Sequence, residues 1–428
     1  MSACASSTGS IDRHRISDSQ RLYLRSPLEA WPESTTLSGM ELGAAFDALV
    51  SGGPTSEARM TADEALRSSS DFRPADLLLA QIDFVDGQLD AARARLSTWV
   101  SGHPEYVPAV LLWGRLNEIE GDRATAYESY LSLADRLPLA LRRAEDLENL
   151  ATQDLLTALG LALQANRIGV GEALVERLEA WSIGSPAALQ GRWLLSRAVG
   201  DTEAELEILR RLSALPAGGE EVLDRLASLE LSHGDARVAL RLFERLVAAN
   251  PEDRERLEYL ARARFQWRLL LLPEEIAAMT ESAGLSRSEF ASLLYWLIPG
   301  VRGAAVVSGW IATDILDVPV RRRQEIARVV NRGLMDVDVA MHRFDPARPV
   351  SRQEALAGLL VALAQTRPVP SCVEELALSS SPSLELVCGS AASCKILDEV
   401  ASCLPEAPVS GRDAREMFRK TLTVLPEN

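Results

Sequence analysis

Cysteine is the residue type in this chain that is most able to do chemistry, and its distribution is uneven. Four of the five cysteines lie in the last sixth of the sequence, at Cys372, Cys388, Cys394 and Cys403. Such a cluster could form two disulfides in any of three pairings, and disulfides persist in oxidising compartments such as the periplasm. The spacings lack the close Cys-x-x-Cys pairs of structural zinc sites. The cluster therefore favours an exported protein, with reduced thiols in a cytosolic protein as the alternative.

The fifth cysteine, Cys4, lies near the start of the sequence. Met1-Ser2-Ala3-Cys4 resembles the end of a bacterial lipobox, in which small residues precede the cysteine that receives the lipid. The residues that follow are mostly polar, and we expect 1–39 to form a disordered polar tether. Our hypothesis is that the natural start lies upstream, behind a signal peptide, and that Cys4 carries a lipid. The alternative is an incidental cysteine in a disordered terminus.

A short phrase occurs three times in the C-terminal part of the chain. A serine begins each copy and an acid follows three positions later, in Ser286–Glu289, Ser351–Glu354 and Ser410–Asp413. This spacing is typical of a capping box, in which the hydroxyl and the carboxylate satisfy free N–H groups at the start of a helix. Capping does not explain the recurrent arginine, Arg287 or Arg352. Because a guanidinium donates paired hydrogen bonds to a carboxylate or phosphate, these arginines are candidate anion-binding groups.

Signatures of catalysis are missing from the sequence. The four histidines are scattered, and no Gly-rich phosphate loop, zinc-protease helix or nucleophile elbow occurs. We therefore expect no enzymatic activity, no cofactor and no metal. The formal net charge of −16 argues against nucleic-acid binding, which needs a concentrated basic face. No stretch reaches the ~18 apolar residues that span a bilayer, so we expect membrane contact only through a lipid anchor.

The elements that would position these groups follow a 34-residue period. The repeated position is a turn residue, at Gly53, Gly87, Gly121, Asn166, Gly200 and Gly234. Successive members are 34 residues apart except for one step of 45, which an 11-residue insertion near 139–149 explains. A small residue follows five positions later in most copies, as at Ala92 and Ala126. This pattern predicts a helical hairpin that is copied and stacked, because one hairpin cannot bury its apolar face alone.

These features resemble the tetratricopeptide repeat family. The turn residue, the small residue after it, and the closing prolines Pro104 and Pro138 agree with that family over residues 40–271. About six units are expected, with a closing helix at Asp253–Leu271. The resemblance implies a superhelix whose concave groove binds a peptide or protein segment. The residues that it places in this groove are Gln81, Arg115, Glu118, Gln190, Arg197 and Asp224.

Residues 272–428 resemble the S-layer homology domain, a two-helix module typically used in threes. The middle copy, about 314–363, has an acidic start, the loop glycine Gly333 and the serine box in the order of that family. The first copy shows only its second half, and the third copy is degenerate and carries the cysteines. The resemblance implies attachment to a cell-wall polymer through Arg287 and Arg352, with Gly333 allowing a close backbone approach.

The sequence thus predicts an all-α protein, in which a tetratricopeptide solenoid precedes a helical S-layer-homology-like module. The expected function is a non-enzymatic scaffold, a periplasm-facing outer-membrane lipoprotein of the cell envelope. Its solenoid groove would hold a protein partner, while the C-terminal module contacts peptidoglycan, another wall polymer or an envelope protein. Two alternatives remain: a cytosolic adaptor or regulator with reduced cysteines, and an accessory subunit of a polysaccharide synthesis or export system.

Overall fold

The computed structural model describes residues 16–31, 35–216, 218–303, 312–379, 382–403 and 406–425. Every regular element in these ranges is a helix, and the β-type contacts there are isolated bridges. The predicted all-α fold is confirmed for this part of the chain. Cys4, the expected lipid attachment site, lies outside the described residues.

The chain divides into two units, Met1–Ile208 and Leu209–Asn428, each with a buried core. The first unit contains α1 (Asp18–Arg21), α2 (Leu37–Val50), α3 (Thr55–Ser68), α4 (Arg73–Val85), α5 (Leu89–Gly102), α6 (Val107–Glu120), α7 (Arg123–Leu131), α8 (Pro138–Gln164), α9 (Ile168–Trp181) and α10 (Pro186–Val199). Helix α11 (Thr202–Ser213) crosses the division. The second unit contains α12 (Glu220–His233), α13 (Ala236–Ala249), α14 (Arg254–Leu270), α15 (Glu274–Met279), α16 (Arg287–Leu297), α17 (Val320–Asn331), α18 (Arg352–Ala364), α19 (Glu374–Leu378), α20 (Leu384–Ser393) and α21 (Gly411–Val424). Short 3-10 helices lie at Thr313–Asp317, Ser371–Val373 and Val400–Cys403.

From α2 to α13 the helices form successive hairpins with short turns, and α14 follows them. The turn residue has a positive φ at Gly87, Gly121, Asn166 and Gly200. This left-handed conformation ends the first helix of a hairpin and is the usual helix C-terminal signal. The turn pattern in the sequence therefore marks real helix ends.

Two of the predicted turn glycines behave differently. At the first turn Gly52, and not Gly53, has the positive φ. Gly234 has a φ of −122°, so it is not needed for a left-handed turn. A Cβ at Gly234 would overlap the carboxylate of Glu230, which accepts a hydrogen bond from the Asp235 N–H at 2.8 Å. Glycine is required at this turn for space.

The 11-residue insertion lengthens one helix. Helix α8 has 27 residues, whereas α6 and α10 have 14 each. Eleven residues make three turns at about 3.67 residues per turn, so the apolar stripe continues almost in register. Its buried members are Ala140, Ala144, Leu147, Ala151, Leu155, Leu159 and Ala162. The insertion thus lengthens the helix, and the buried residues of α8 stay on one face.

Helix α14 belongs to the core of the C-terminal helices. Its Phe265 is buried in that core, and Leu269 packs against it. The division between the two units lies at 208/209 in the sequence. The domain boundary expected at 271/272 stays a prediction.

A closed ring of backbone hydrogen bonds joins the three capping-box helices α16, α18 and α21. The Leu285 N–H donates to Val409 O at 2.9 Å, Val409 donates to Val350 at 3.1 Å, and Val350 donates to Leu285 at 3.0 Å. All three side chains are buried. Each following serine forms its predicted capping box. The ring therefore relates the three boxes by an approximate threefold arrangement.

The residue after each box serine extends this arrangement. Its N–H donates to a carbonyl of a neighbouring copy: Arg287 to Arg348 at 2.8 Å, Arg352 to Ala407 at 2.9 Å, and Gly411 to Ser282 at 2.9 Å. At the third box the neighbouring backbone is so close that a Cβ on Gly411 would overlap Met279 O and lie 2.7 Å from Ser282 N. Only glycine fits this position, which explains why the third box departs from the other two.

The clustered cysteines form two disulfides around α20. Cys372 pairs with Cys394 and Cys388 with Cys403, with Cα atoms 5.2 Å and 5.8 Å apart. This is one of the three pairings that the sequence leaves open. The bonds close loops with sequence separations of 22 and 15 residues. A loop of this size stabilises a fold by roughly 3 kcal/mol, mainly by restricting the unfolded chain.

Replacing Gly411 by alanine is expected to destabilise the second unit by roughly 1–3 kcal/mol, because the methyl group would push the 279–282 backbone away. Gly389→Ala is the matched control, since a Cβ at that position in α20 would meet nothing within 4 Å. Alanine should stabilise α20 by about 0.5–1 kcal/mol through helix propensity. Chemical unfolding followed by circular dichroism measures both effects, and equal shifts would contradict the close approach at Gly411.

Candidate functional site

Helix α4 is buried on all its sides. Nine consecutive residues, 77–85, are buried, whereas α12 buries five residues along one stripe. A helix in a surface hairpin normally buries a single face, so a second layer must cover the other face of α4. The start of α6 shows the same feature, with residues 108–112 all buried.

The second layer is the N-terminal segment, residues 16–31. Leu24 is buried in the core formed by α2–α6, and Leu28 and Trp31 pack against that core. Tyr23 is buried among residues of α6–α8. The expectation of a disordered tether is therefore wrong for this segment, because its apolar side chains fill the open faces of α4 and α6.

Two side chains of the repeats hold the backbone of this segment. Gln81 Nε2 donates to Arg25 O at 2.7 Å, and the Tyr106 hydroxyl donates to Pro27 O at 2.6 Å. Gln81 is fully buried. Burial raises the pKa of Tyr106, and Glu29 adds to the effect, so the phenol keeps the proton that it donates. Contacts to carbonyls are independent of the bound side chains, as in other cases of recognition through the main chain.

An aromatic cluster receives the end of the segment. The Trp31 ring lies 5.8 Å from Trp99 and 5.7 Å from Tyr106, measured between centroids, and Trp99 stacks on Tyr106 at 5.0 Å. His103 lies edge-on to Trp31 at 6.2 Å. Such aromatic pairs stabilise by about 0.5–1.5 kcal/mol beyond their area burial. Trp31 is therefore one anchor of the segment.

Tyr23 is the other anchor. Its ring centroid lies 5.0 Å from the guanidinium carbon of Arg115 and 6.4 Å from the Tyr130 ring. Arg115 is held by an ion pair to Glu118 at 3.1 Å, and Glu118 accepts a hydrogen bond from the Tyr130 hydroxyl at 2.9 Å. Burial, more than the neighbouring Tyr23, raises the pKa of Tyr130. A fixed cation and a neutral aromatic ring thus enclose Tyr23.

We use the term docking face for the surface that contacts the segment. It consists of Gln81, Trp99, Tyr106, Arg115 and Tyr130. Three of the predicted groove residues, Gln81, Arg115 and Glu118, lie on or directly behind it. The segment that contacts Gln81 and Arg115 belongs to this chain, so binding of a separate peptide at these residues stays a prediction.

The other predicted groove residues lie elsewhere. Gln190 and Arg197 are exposed on α10. Asp224, in the second unit, forms an ion pair with Arg256 at 3.1 Å. For these three residues the assignment to a peptide groove stays a prediction.

The repeat pattern did not identify Tyr23, Trp31, Trp99 and Tyr106. One sequence signal could have pointed to their surroundings. The apolar runs 77–79 and 110–112 are wider than the stripe that a one-sided hairpin needs. A wide run of this kind indicates that a helix is covered twice.

Arg287, proposed as a polymer-binding residue, is directed into the protein. Its Nε donates to Phe344 O at 2.8 Å, its Nη2 donates to Asp336 O at 2.6 Å, and its Nη1 forms an ion pair with Glu354. The guanidinium also lies over the Phe344 ring, 4.7 Å from the centroid. Its side chain is only 6% exposed. The expectation for Arg287 is therefore corrected: its guanidinium binds groups of its own unit and stabilises the fold.

The arginine after each of the first two box serines lies close to an acid of the next copy. Arg287, in the first box, pairs with Glu354 of the second. Arg352, in the second box, lies 3.9 Å from Asp413 of the third. Each arginine thus reaches the capping acid of the next copy. In the third box this position is Gly411, because no side chain fits against the 279–282 backbone.

Gly333 ends helix α17. Its φ is +67°, its N–H donates to Val330 O at 2.8 Å, and Leu334 donates to Val329 O at 3.0 Å. This is the hydrogen-bond pattern of a Schellman C-cap. A close approach within the protein occurs at Gly358, where a Cβ would lie 2.5 Å from Leu334 O. The approach of a wall polymer to Gly333 stays a prediction.

Within the ranges that the structure describes, no group of three or more His, Cys, Asp or Glu residues is placed to hold a metal ion. In the same ranges, no helix combines the length and the apolar character needed to cross a bilayer.

No family model and no curated protein matches the chain. Among solved structures it is similar to a thermophilic tetratricopeptide repeat protein of Thermus thermophilus, with 17% identity, a TM-score of 0.19, and coverage of 53% of this chain and 98% of the other. It is also similar to Acl4, an assembly chaperone of RpL4, with 17% identity, a TM-score of 0.27, and coverage of 54% and 96%. A tetratricopeptide repeat protein of Parabacteroides merdae gives 15% identity, a TM-score of 0.22, and coverage of 56% and 96%. These scores are low, and the assignment of the fold therefore rests on the helices themselves.

Replacing Arg287 by alanine is expected to destabilise the second unit by roughly 3 kcal/mol at neutral pH, because the Phe344 and Asp336 carbonyls lose their arginine donor and Glu354 keeps only Arg348 of its two arginine partners. Lysine should not restore stability, since it lacks the planar fork. Burial alone would raise the pKa of Glu354, but the Ser351 N–H and the arginines Arg287 and Arg348 hold it below the ordinary value of 4.5. The ion pair therefore stabilises the fold above that pH, and its contribution is lost as the pH falls below it.

Urea unfolding at about pH 7 and about pH 3.5 measures this effect, which should be smaller in acid. Arg412→Ala is the matched control, since this third box arginine is exposed and its loss should change stability by less than about 0.5 kcal/mol. Equal losses of stability from Arg287→Ala and Arg412→Ala would contradict a stabilising role for Arg287.

Proposed function

We propose that this protein is a non-enzymatic scaffold that binds a protein partner through the docking face. The observation that carries the proposal is that Gln81 and Tyr106 donate to main-chain carbonyls, at 2.7 Å and 2.6 Å, of a segment that has little regular structure. A face that holds one segment by its backbone suits another segment of similar shape. The two aromatic anchors give such binding a preference for particular side chains.

The two carbonyl donors also hold residues 16–31, so they are removed from a chain whose own anchors are already replaced, Tyr23→Ala and Trp31→Ala. In that chain, adding Gln81→Ala and Tyr106→Phe is expected to reduce partner capture by about tenfold, since each hydrogen bond contributes roughly 0.5–1.5 kcal/mol. The full chain is immobilised and exposed to an envelope extract of the organism that produces it, and captured proteins are quantified by mass spectrometry for the wild type and both variants.

The matched control is Gln190→Ala, Arg197→Ala, which changes exposed residues of α10. We expect its capture to equal that of the wild type. Circular dichroism establishes that both variants are folded. A partner lost from the α10 variant, but kept by the docking-face variant, would show that the proposed face is wrong.

We further propose that the protein works in the bacterial cell envelope, as a lipoprotein facing the periplasm. The two disulfides Cys372–Cys394 and Cys388–Cys403 support this location, because such bonds persist in oxidising compartments. Cys4 is the proposed lipid attachment site. In this location the C-terminal unit would contact a wall polymer or another envelope protein. Since Arg287 is directed inward, the proposed contact surface includes Arg352, and co-sedimentation of the full chain with insoluble peptidoglycan tests it.

Thiol labelling tests the envelope location. Protein isolated from its natural host is denatured and alkylated before and after reduction. We expect the four paired cysteines to react only after reduction, with peptide mapping recovering the 372–394 and 388–403 links. Reduction should also lower stability by roughly 3 kcal/mol for each loop. Full labelling of all four without reduction would favour the cytosolic alternative.

A further inference from the structure

We propose that residues 16–31 are an exchangeable occupant of the docking face, displaced when a partner segment with an aromatic anchor binds. The inference rests on the proposed function and adds two things to it: the chemistry of the partner and the competitor that the partner must displace.

The segment leaves buried polar atoms unsatisfied. Gln81 Oε1, Trp31 Nε1 and Trp99 Nε1 are buried and have no hydrogen-bond partner among the residues that the structure describes. Leaving a buried donor or acceptor unpaired costs its full desolvation, and native proteins rarely do so. At the two tryptophan positions, phenylalanine would keep an aromatic ring without an unpaired N–H. A partner that donates to Gln81 Oε1 and accepts from Trp99 Nε1 would form the hydrogen bonds that the segment does not form.

The backbone of the segment fits the face under strain. Ala30 has a φ of +57°, a left-handed conformation that is unfavourable for a residue with a Cβ. The only helix in the segment, α1, has four residues. The ion pair between Arg25 and Glu29, with an N–O distance of 2.7 Å, lies entirely within the segment and can move with it. Release of the segment therefore costs the contacts with the docking face and little regular structure.

The anchors define the partner. The place of Tyr23 lies between the Arg115 guanidinium and the Tyr130 ring, and a tyrosine, tryptophan or phenylalanine would fit there. The place of Trp31, against Trp99 and Tyr106, suits a second aromatic residue. Glu118 pairs with both Arg115 and Arg143, and Arg143 also pairs with Asp146. Because these two cations are balanced by two carboxylates, an acidic anchor has no advantage. The partner is thus a non-helical protein segment with aromatic residues and exposed main-chain groups.

Covalent attachment gives the native segment an advantage in this competition. A tethered ligand acts at an effective concentration on the order of millimolar. The apparent affinity of an outside segment falls in proportion to the small fraction of chains whose face is open. Weak or mismatched segments are thereby excluded, and a partner must make contacts that the native segment does not.

The test uses a fluorescein-labelled synthetic peptide with the sequence of residues 16–31 and the full-length chain. In the Tyr23→Ala, Trp31→Ala variant the native segment loses both anchors. Fluorescence anisotropy should show that the peptide binds this variant at least about tenfold more tightly than the wild type. Leu22→Ala is the matched control, since Leu22 lies in the same segment and is 59% exposed. It should bind the peptide as the wild type does.

Adding Gln81→Ala and Tyr106→Phe to the released variant should abolish the gain, which would place the peptide on the docking face. Equal affinity for the wild type and the released variant would overturn the proposal. Unfolding of the first unit in the released variant, measured by circular dichroism, would also overturn it, because the segment would then be a permanent layer of the fold.

Failure here and failure of the scaffold function are distinguishable. If partner capture depends on Gln81 and Tyr106 but the peptide does not exchange, the scaffold function stands and the competition is wrong. If the peptide exchanges but capture ignores the docking face, the segment is exchangeable and the partner binds elsewhere, which overturns the displacement proposed here.

Discussion

A helix satisfies its own backbone but cannot cover its own apolar surface, and α4 has more of that surface than its neighbours in the repeats can cover. Burial of residues 77–85 on every side makes the first unit depend on residues 16–31 as a second layer. Occupancy of the docking face and stability of the first hairpins are therefore linked quantities. Anything that binds the folded face in place of the segment must supply comparable burial, and it then stabilises the fold by mass action.

In the second unit, a closed ring of backbone hydrogen bonds holds the three capping-box copies together. Leu285, Val350 and Val409 each donate one backbone bond and accept one within the ring, so a slip of one copy would break two bonds at once. This arrangement brings the backbone of 279–282 against the start of α21. The glycine at 411 follows from that contact. The third copy has glycine where the other two have arginine directly after the serine, and the reason is steric.

Local spacing predicted local geometry well. The 34-residue period and its turn residues predict the hairpins, because a positive φ at Gly87 or Gly121 depends on the turn alone. The serine boxes form for the same reason, since their partners lie three residues away. Local spacing does not predict contacts between copies. Arg287 and Glu354 are 67 residues apart in the sequence, and nothing in the spacing of the cysteines selects Cys372–Cys394 over the other pairings. The buried segment was missed because polarity averaged over 1–39 conceals Tyr23, Leu24, Leu28 and Trp31.

The balance of donors and acceptors separates binding groups from structural ones in this chain. Arg287 directs Nε, Nη1 and Nη2 at three groups of its own module, and an arginine in that position has little left to offer a ligand. Gln81 is equally buried, yet within the described part of the chain its Oε1 has no hydrogen-bond partner. A buried oxygen without a partner costs its full desolvation. This oxygen lies beside a segment whose carbonyls accept hydrogen bonds from the repeats. We therefore assign partner binding to α4 and a stabilising role to Arg287 of the first capping box.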